Sequence, residues 1–100
     1  QIALERVGPA ADGRCYSMRG IDITDHTAPL DHLFTAPEWR CAGPAEGRTT
    51  RTIGIGDGGN EIGMGKIPHD TIVKNIPEGD RIHCRVPTDF LVVSGVSNWG

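Results

Sequence analysis

The chain has 100 residues and a mass of 10.7 kDa, which suffices for one small domain or for part of a larger one. Its 10 Lys and Arg residues against 13 Asp and Glu residues give a net charge of −3, and no apolar run approaches the roughly 18 residues of a membrane span. We therefore expect neither a nucleic-acid nor a membrane partner, and with aromatic residues at only 5% we expect part of a larger domain.

The first half of the chain predicts one strand and one helix. Residues 2–7 alternate as in a weak strand. A helix is expected to begin near Pro29, capped by Thr27, and to place its leucines on one face. Residues 39–51 predict a loop, and this loop is the best candidate in the chain for a variable insertion.

The second half of the chain predicts two further strands, at residues 52–55 and 90–93, and the latter is expected to be buried. The other expected elements are a helical stretch at about 62–76 with a second piece at 69–75, a turn at 77–80, and a half-buried strand at 82–86 with His83 toward solvent. Strands separated by helical segments predict an α/β fold. We expect a fragment of a layered sheet-and-helix domain with a Gly-rich strand-to-helix loop.

Residues 53–66, with the sequence IGIGDGGNEIGMGK, hold the densest chemical information in the chain. Six glycines in these fourteen residues follow directly on a strand, and glycine lets a backbone approach a ligand closely. Open α/β sheets bind ligands at such turns, where the first N–H groups of a helix favour a carboxylate or a phosphate. If residues 57–61 enter a helix, Asp57 and Glu61 share one face, which suits a divalent cation. Lys66 would then neutralise an anionic substrate.

A tight connection without chemistry is the alternative, with Asp57 or Asn60 serving only as a helix cap. Two carboxylates, an amide and six glycines exceed what a cap needs. The segment is not a Walker-type phosphate loop, since Lys66 is followed by Ile67 rather than by Ser or Thr. Residues 54–59 fit the dinucleotide pattern GxGxxG, but no ribose-binding acid follows.

The three cysteines, Cys15, Cys41 and Cys84, are widely separated and lack CxxC spacing. Neither a disulfide framework nor a zinc site is expected from them. Reduced thiols in an intracellular protein are the expectation.

Five segments, which together cover nearly the whole chain, carry a resemblance to a known family. They are ER at 5–6 with AADGR at 10–14, YSMRG at 16–20, PLDHLF at 29–34, residues 54–66, and DFLVVSGVSNWG at 89–100. In these segments the chain resembles the D-glutamate cyclase family. The resemblance implies that residues 1–100 form a single partial domain, the C-terminal portion of a larger D-glutamate cyclase-like domain. It also implies a carbon–oxygen lyase that converts D-glutamate to 5-oxo-D-proline and water.

On this hypothesis, the catalytic residues are Asp57, Glu61 and Asn60. Asp57 or Glu61 takes a proton from the substrate ammonium group if no metal is present. The oxyanion of the tetrahedral intermediate is stabilised either by a metal held by Asp57 and Glu61 or by backbone N–H groups. These N–H groups belong to Gly58, Gly59 and Asn60.

Lys66 or Arg19 is assigned to a substrate carboxylate, with arginine favoured for bidentate contact. The cofactor is left open between none and a divalent cation, Mg²⁺ or Mn²⁺. The expected partner is a small molecule, D-glutamate, and a homo-oligomer is left open. The resemblance implies the mitochondrial matrix for an animal protein and the cytoplasm for a bacterial one.

Residues 56–61, GDGGNE, also resemble the metal-binding GDGxND motif of haloacid dehalogenase-type phosphatases, with Glu61 in place of the usual Asp. Those enzymes need a DxD nucleophile strand as well, and the nearest candidate here is Asp22 to Asp25, with different spacing. A metal-dependent phosphatase is therefore an alternative function. A non-catalytic domain that binds an acidic metabolite is another.

Overall fold

The computed structural model of the protein describes residues 1–35 and 51–95. Three strands, three α-helices and a short 3₁₀ helix follow one another along these residues. In chain order they are β1 (Ile2–Leu4), the 3₁₀ helix (Thr24–His26), α1 (His32–Thr35), β2 (Ile53–Gly56), α2 (His69–Asn75), α3 (Gly79–Ile82) and β3 (Phe90–Val93). The expected α/β class is confirmed. The loop predicted at residues 39–51 lies almost wholly outside the described residues.

The three strands form one parallel sheet in the order β1-β2-β3, so β2 is the central strand. Ile53 is paired with Ile2 on one side and with Phe90 on the other. The entry into β2 and β3 is fixed by a reciprocal clamp. The Thr52 backbone N–H donates to the Asp89 carboxylate at 2.9 Å, and the Asp89 N–H donates to the Thr52 hydroxyl at 2.9 Å.

One face of the sheet packs on the rest of the described chain. The hydrophobic core consists of side chains from this face, from α1 and from the segments between β2 and β3: Ala3, Phe34, Ile62, Met64, Cys84 and Val86. Gly54 lies directly under the backbone of Ile62 and Gly63. The loop that follows β2 therefore folds back over its own strand.

The opposite face of the sheet is apolar and exposed in the described structure. It carries six side chains, here called the apolar face: Ile2, Leu4, Ile53, Ile55, Phe90 and Val92. Phe90 is 57% exposed and Ile2 66%. The expectation that residues 90–93 form a buried strand is therefore wrong, because the described chain covers only the other face of the sheet.

The helix expected at about 62–76 is wrong in its first half. Residues 57–67 form turns and isolated bridges, and Gly59 and Gly63 have φ values of +100° and +108°, which no right-handed helix contains. α2 begins only after Pro68 and matches the second predicted piece at 69–75.

The strand expected at 82–86 is also wrong. α3 occupies Gly79–Ile82, where a turn was predicted, and residues 83–86 run extended beneath the loop without joining the sheet. Ile82, Cys84 and Val86 are buried as their alternation predicted, but His83 is only 2% exposed instead of facing solvent. Arg85 is exposed as the alternation predicts, but His83 is covered by its contacts with His69 and the Met64 carbonyl.

Cys15 and Cys84 are buried free thiols, and Cys41 lies outside the described residues. Burial raises the pKa of the Cys84 thiol to about 12 and also raises the pKa of Cys15. Both are therefore thiols rather than thiolates at neutral pH. Within residues 1–35 and 51–95, no helix has the length and hydrophobicity needed to cross a bilayer.

Substitution of Gly54 by alanine tests the contact between the loop and β2. A Cβ at this position would lie 2.5 Å from the Ile62 carbonyl oxygen and 2.8 Å from the Gly63 Cα, both of which are backbone atoms. Since these atoms cannot rotate away, we expect Gly54→Ala to lower the free energy of unfolding by about 3 kcal/mol or more in urea titrations.

Gly95→Ala is the matched control, because a Cβ there meets no atom of residues 1–35 or 51–95 within 4 Å. We expect it to change the free energy of unfolding by less than about 0.5 kcal/mol. Equal stability of the two variants would show that the loop does not rest on β2.

Candidate active site at the carboxyl end of the sheet

The Gly-rich loop, residues 57–67, follows the carboxyl end of the central strand, which is where parallel sheets bind ligands. Backbone hydrogen bonds hold it on both sides. The Ile62 N–H donates to the Arg6 carbonyl at 2.7 Å, and the Gly63 N–H donates to the Val86 carbonyl at 2.9 Å. The loop is therefore a fixed part of the fold, held between the exit of β1 and the approach to β3.

The carboxylate of Glu61 organises the first turn of this loop. Its Oε1 accepts the N–H groups of Asp57 at 3.1 Å and Gly58 at 2.9 Å, and its Oε2 accepts the Gly59 N–H at 2.8 Å. Glu61 is 5% exposed, so these three donors replace water around a buried anion. Residues 57–61 form no helix, so the expected i, i+4 arrangement of Asp57 and Glu61 is wrong, and the two are joined by a turn instead.

Gly58 and Gly59 differ in what a side chain would meet. A Cβ on Gly58 would meet the sulfur at the far end of the Met18 side chain, which is flexible enough to move aside, so this contact shows only that the segment around Met18 packs on the loop. Gly59 has φ +100°, a conformation that side chains rarely adopt. The N–H groups proposed to bind an oxyanion at these two residues donate to Glu61 in this structure.

Asn60 ties the loop to the first connection of the chain. Its side-chain amide donates to the backbone carbonyl of Tyr16 at 2.9 Å. The backbone carbonyl of Asn60 accepts the N–H of Gly8 at 3.0 Å. Asn60 is 5% exposed. It therefore fixes the position of residues 15–20 beside the loop.

The segment beside the loop is rigidified by its own polar contacts. Tyr16 and Asp22 form an isolated antiparallel bridge, and the Asp22 carboxylate pairs with Arg14. Hydrogen bonds from the Thr24 hydroxyl and backbone, and then from Arg14, lower the pKa of Asp22 to about 2. Asp22 and Asp25 lie at the 3₁₀ helix and not at a strand end, so they do not form the nucleophile strand of a phosphatase.

Asp57 is exposed at the carboxyl end of β2, and Arg19 is exposed in the segment that Met18 and Asn60 hold against the loop. Lys66 lies elsewhere. Its ammonium group donates to the Asp89 carbonyl, which precedes β3 and therefore lies at the opposite end of the strands. The structure thus brings Asp57, Gly58, Gly59, Asn60 and Glu61 together with Arg19 nearby, and it places Lys66 away from them.

Two further residues, Glu5 and Ser94, lie at the same edge of the sheet, although the sequence did not predict them as site residues. Glu5 follows the last residue of β1 and Ser94 the last residue of β3, as Asp57 follows β2. Glu5 has φ +54°, and the buried Ser94 Oγ has no hydrogen-bond partner among residues 1–35 and 51–95. Such backbone strain and unsatisfied groups concentrate at functional sites. The sequence signal that could have found them is their position after each strand.

A divalent cation does not find a ready set of ligands here. Among the described residues, no group of three or more His, Cys, Asp or Glu side chains is placed to hold a metal ion. Both Glu61 oxygens already accept backbone N–H groups. We therefore derive no step of the reaction through a metal.

A histidine pair lies beneath the loop. The Nε2 of the buried His83 is 2.8 Å from the Met64 carbonyl, and the two Nδ1 atoms of His69 and His83 are 2.9 Å apart. Because a carbonyl only accepts, the His83 Nε2 carries the proton and its Nδ1 accepts the Nδ1–H of His69. Neutral His83 thus completes both contacts.

Because of this histidine pair, we expect the protein to become less stable as the pH falls. Burial is the main cause that lowers the pKa of His83 below its ordinary value of 6.5. As the pH falls, His83 is protonated in the unfolded chain before it is protonated in the folded one. The contribution of neutral His83 to the free energy of unfolding is therefore complete above about pH 6.5 and is lost as the pH falls further. We expect the Tm to fall by several degrees between pH 7.5 and pH 5.5.

The matched variants for this prediction are His83→Gln and His26→Gln. His83→Gln should flatten the dependence of Tm on pH, whereas His26→Gln, at an exposed position, should leave it unchanged. The same slope in all three proteins would contradict the role of His83.

A parallel sheet with a glycine-rich, carboxylate-anchored loop at its carboxyl end is the arrangement at which proteins of the α/β class bind small molecules. The chain matches the D-glutamate cyclase-like, C-terminal family over residues 1–100, and it belongs to that family. Human mitochondrial D-glutamate cyclase is 43% identical over 99 residues, which cover 99% of this chain. The chain spans 15% of the length of that relative.

Proposed function

We propose that this chain supplies part of the active site of a lyase that converts D-glutamate to 5-oxo-D-proline and water. The observation that carries the proposal is the loop of residues 57–61, in which a buried carboxylate shapes a turn that presents Asp57 at the carboxyl end of the central strand. Membership of the D-glutamate cyclase-like family and the likeness to the human enzyme support it.

The reaction sets three tasks for the protein. The α-nitrogen must lose a proton, attack the γ-carboxyl carbon and form the C–N bond of a five-membered lactam. The oxyanion that forms must be stabilised, and the departing hydroxide must be protonated so that the C–O bond breaks and water leaves. A site that holds the substrate folded adds the advantage of an intramolecular reaction, on the order of 10⁵ M in effective concentration.

Asp57 is the proposed base, because its carboxylate is exposed where a substrate at this edge of the sheet would lie. Arg19 is the proposed ligand of a substrate carboxylate, since its guanidinium is exposed in the segment adjoining the loop and suits bidentate contact. Lys66 is less suited to this task, because its ammonium group contacts the Asp89 carbonyl.

Glu61 and Asn60 act through the loop on this proposal. Glu61 holds the N–H groups of Asp57, Gly58 and Gly59 in one turn, and Asn60 fixes the segment that carries Arg19. Gly58 and Gly59 would contact an oxyanion through their N–H groups only if the substrate displaced the Glu61 carboxylate.

The proposal is tested by incubating the full-length polypeptide with D-glutamate or L-glutamate and separating the products by chiral chromatography, with and without Mg²⁺ or Mn²⁺. Formation of 5-oxo-D-proline from the D-enantiomer alone supports it, and equal rates with and without metal support a role for Asp57 that needs no cation. Phosphate release from a phosphomonoester panel without cyclisation would favour a phosphatase. Binding of D-glutamate without turnover would favour a binding domain.

The compartment is proposed from the relative. The human enzyme is described as mitochondrial, and we propose the mitochondrial matrix for an animal source of this chain and the cytoplasm for a bacterial one. Fractionation of cells that express the tagged full-length polypeptide tests this assignment.

A further inference from the structure

The apolar face of the sheet has no role in the proposed reaction. The strand register arranges its six side chains in two rows of three, Ile2–Ile53–Phe90 and Leu4–Ile55–Val92. The outer members are exposed: Ile2 66%, Leu4 57%, Phe90 57% and Val92 41%. A contiguous apolar surface of this kind on a folded chain marks an interaction site.

Among residues 1–35 and 51–95, the side chains of both connections that enter the core lie on the other face of the sheet. Phe34, from the connection between β1 and β2, shares a core with Ile62 and Met64, from the connection between β2 and β3. Both connections advance in the same direction along the sheet, and right-handed crossovers that do so pass over the same face.

Parallel sheets occur almost only with helices on both faces. We propose that the apolar face binds an amphipathic helical layer supplied by a part of the full-length polypeptide outside these 100 residues. The length of the human relative makes such a source available, since this chain spans only 15% of it. The proposal does not rest on the cyclase reaction.

The dimensions of the face fit a helix. Three strands about 4.8 Å apart present a surface about 10 Å wide, which matches the diameter of one α-helix with its side chains. The apolar surface also continues past the edge of β1 into a groove of about 400 Å³ that is lined in part by Leu4, Leu30 and Leu33. A second copy of the chain would instead place one parallel sheet against another, which is a rare packing.

Cysteine labelling of the full-length polypeptide measures whether the face is covered. Val92 on the apolar face and Val73 on α2 are matched, with exposures of 41% and 43% in this structure. We expect a maleimide to label Val73→Cys at least about tenfold faster than Val92→Cys under native conditions, because a docked helix protects only Val92. Peptide mass spectrometry separates these sites from the natural cysteines.

Equal labelling rates, within about threefold, would overturn the proposal, because the face would then be open in the complete protein.

Photo-crosslinking identifies the occupant when the face is covered. We expect the variant Phe90→p-benzoylphenylalanine to crosslink within its own polypeptide, to residues outside these 100 that are spaced by three or four positions. Crosslinks to a second copy, seen as a product of doubled mass, would overturn the helical layer in favour of a dimer, and so would crosslinks no more frequent than from the same group at Val73.

Discussion

The variant Asp57→Asn in the full-length polypeptide is expected to lower the turnover of D-glutamate by at least about 100-fold, the scale of losing a general base. Asparagine has nearly the same size and shape as aspartate, but its amide cannot take a proton from the substrate ammonium group. Asp57 follows the carboxyl end of β2 and its N–H is held by Glu61, so the backbone of the variant should keep its place. The rate of 5-oxo-D-proline formation measures the effect.

Asp70→Asn is the matched control, since Asp70 is an exposed carboxylate in the first turn of α2. Its turnover should stay within about twofold of the parent protein, because surface substitutions of this kind rarely matter. Turnover of Asp57→Asn within threefold of the parent would remove Asp57 from the reaction. Urea unfolding of both variants shows whether a loss of activity reflects a loss of fold.

The variant Glu61→Gln is expected to lower the free energy of unfolding by about 3 kcal/mol, as loss of charge-assisted hydrogen bonds to a buried anion predicts. The amide oxygen can still accept the N–H groups of Asp57 and Gly58, but the amide nitrogen then faces the Gly59 N–H, and both are donors. Urea unfolding followed by circular dichroism gives the stability.

Glu78→Gln serves as the control for this effect, because Glu78 is an exposed glutamate. Its free energy of unfolding should change by less than about 0.5 kcal/mol. A loss below about 1 kcal/mol for Glu61→Gln would contradict the role of Glu61 as the organiser of the loop.

The strands were predictable from the sequence because each is a short apolar run bounded by glycine or by a turn. Ile53 and Phe90 fall in strands where expected, and the glycines after Ile55 mark the carboxyl end of the central strand. The family was predictable as well, since its resemblance covers long motifs, and the match over the whole chain confirms it.

The elements between the strands were not predictable, because tertiary contacts decide them. Glycines with positive φ at 59 and 63 end helical continuity, although glycine alone does not reveal its φ. The alternation at 82–86 reports burial of a segment that is hydrogen-bonded to the Gly-rich loop and to Pro9 rather than paired in the sheet. The partners of Glu61 could not be read from its spacing to Asp57, because a carboxylate four residues away serves a helix face, a metal or a turn equally well.

The sheet pairs residues that are far apart in the sequence, and these long-range contacts determine how this part of the chain folds. The Gln1 nitrogen donates to the Arg51 carbonyl 50 residues away, and the Thr52 N–H donates to the Asp89 carboxylate across 37 residues. The helices, of four and seven residues, are too short to persist alone. Within residues 1–35 and 51–95, no helix is therefore long enough to serve as a local nucleus that offsets the loss of chain entropy before strand pairing. We expect slow folding of this part of the chain, with the apolar strands exposed until the sheet forms. The loop at residues 57–61 takes its shape only when β2 has found both neighbours, so fold and candidate site are acquired in one late step.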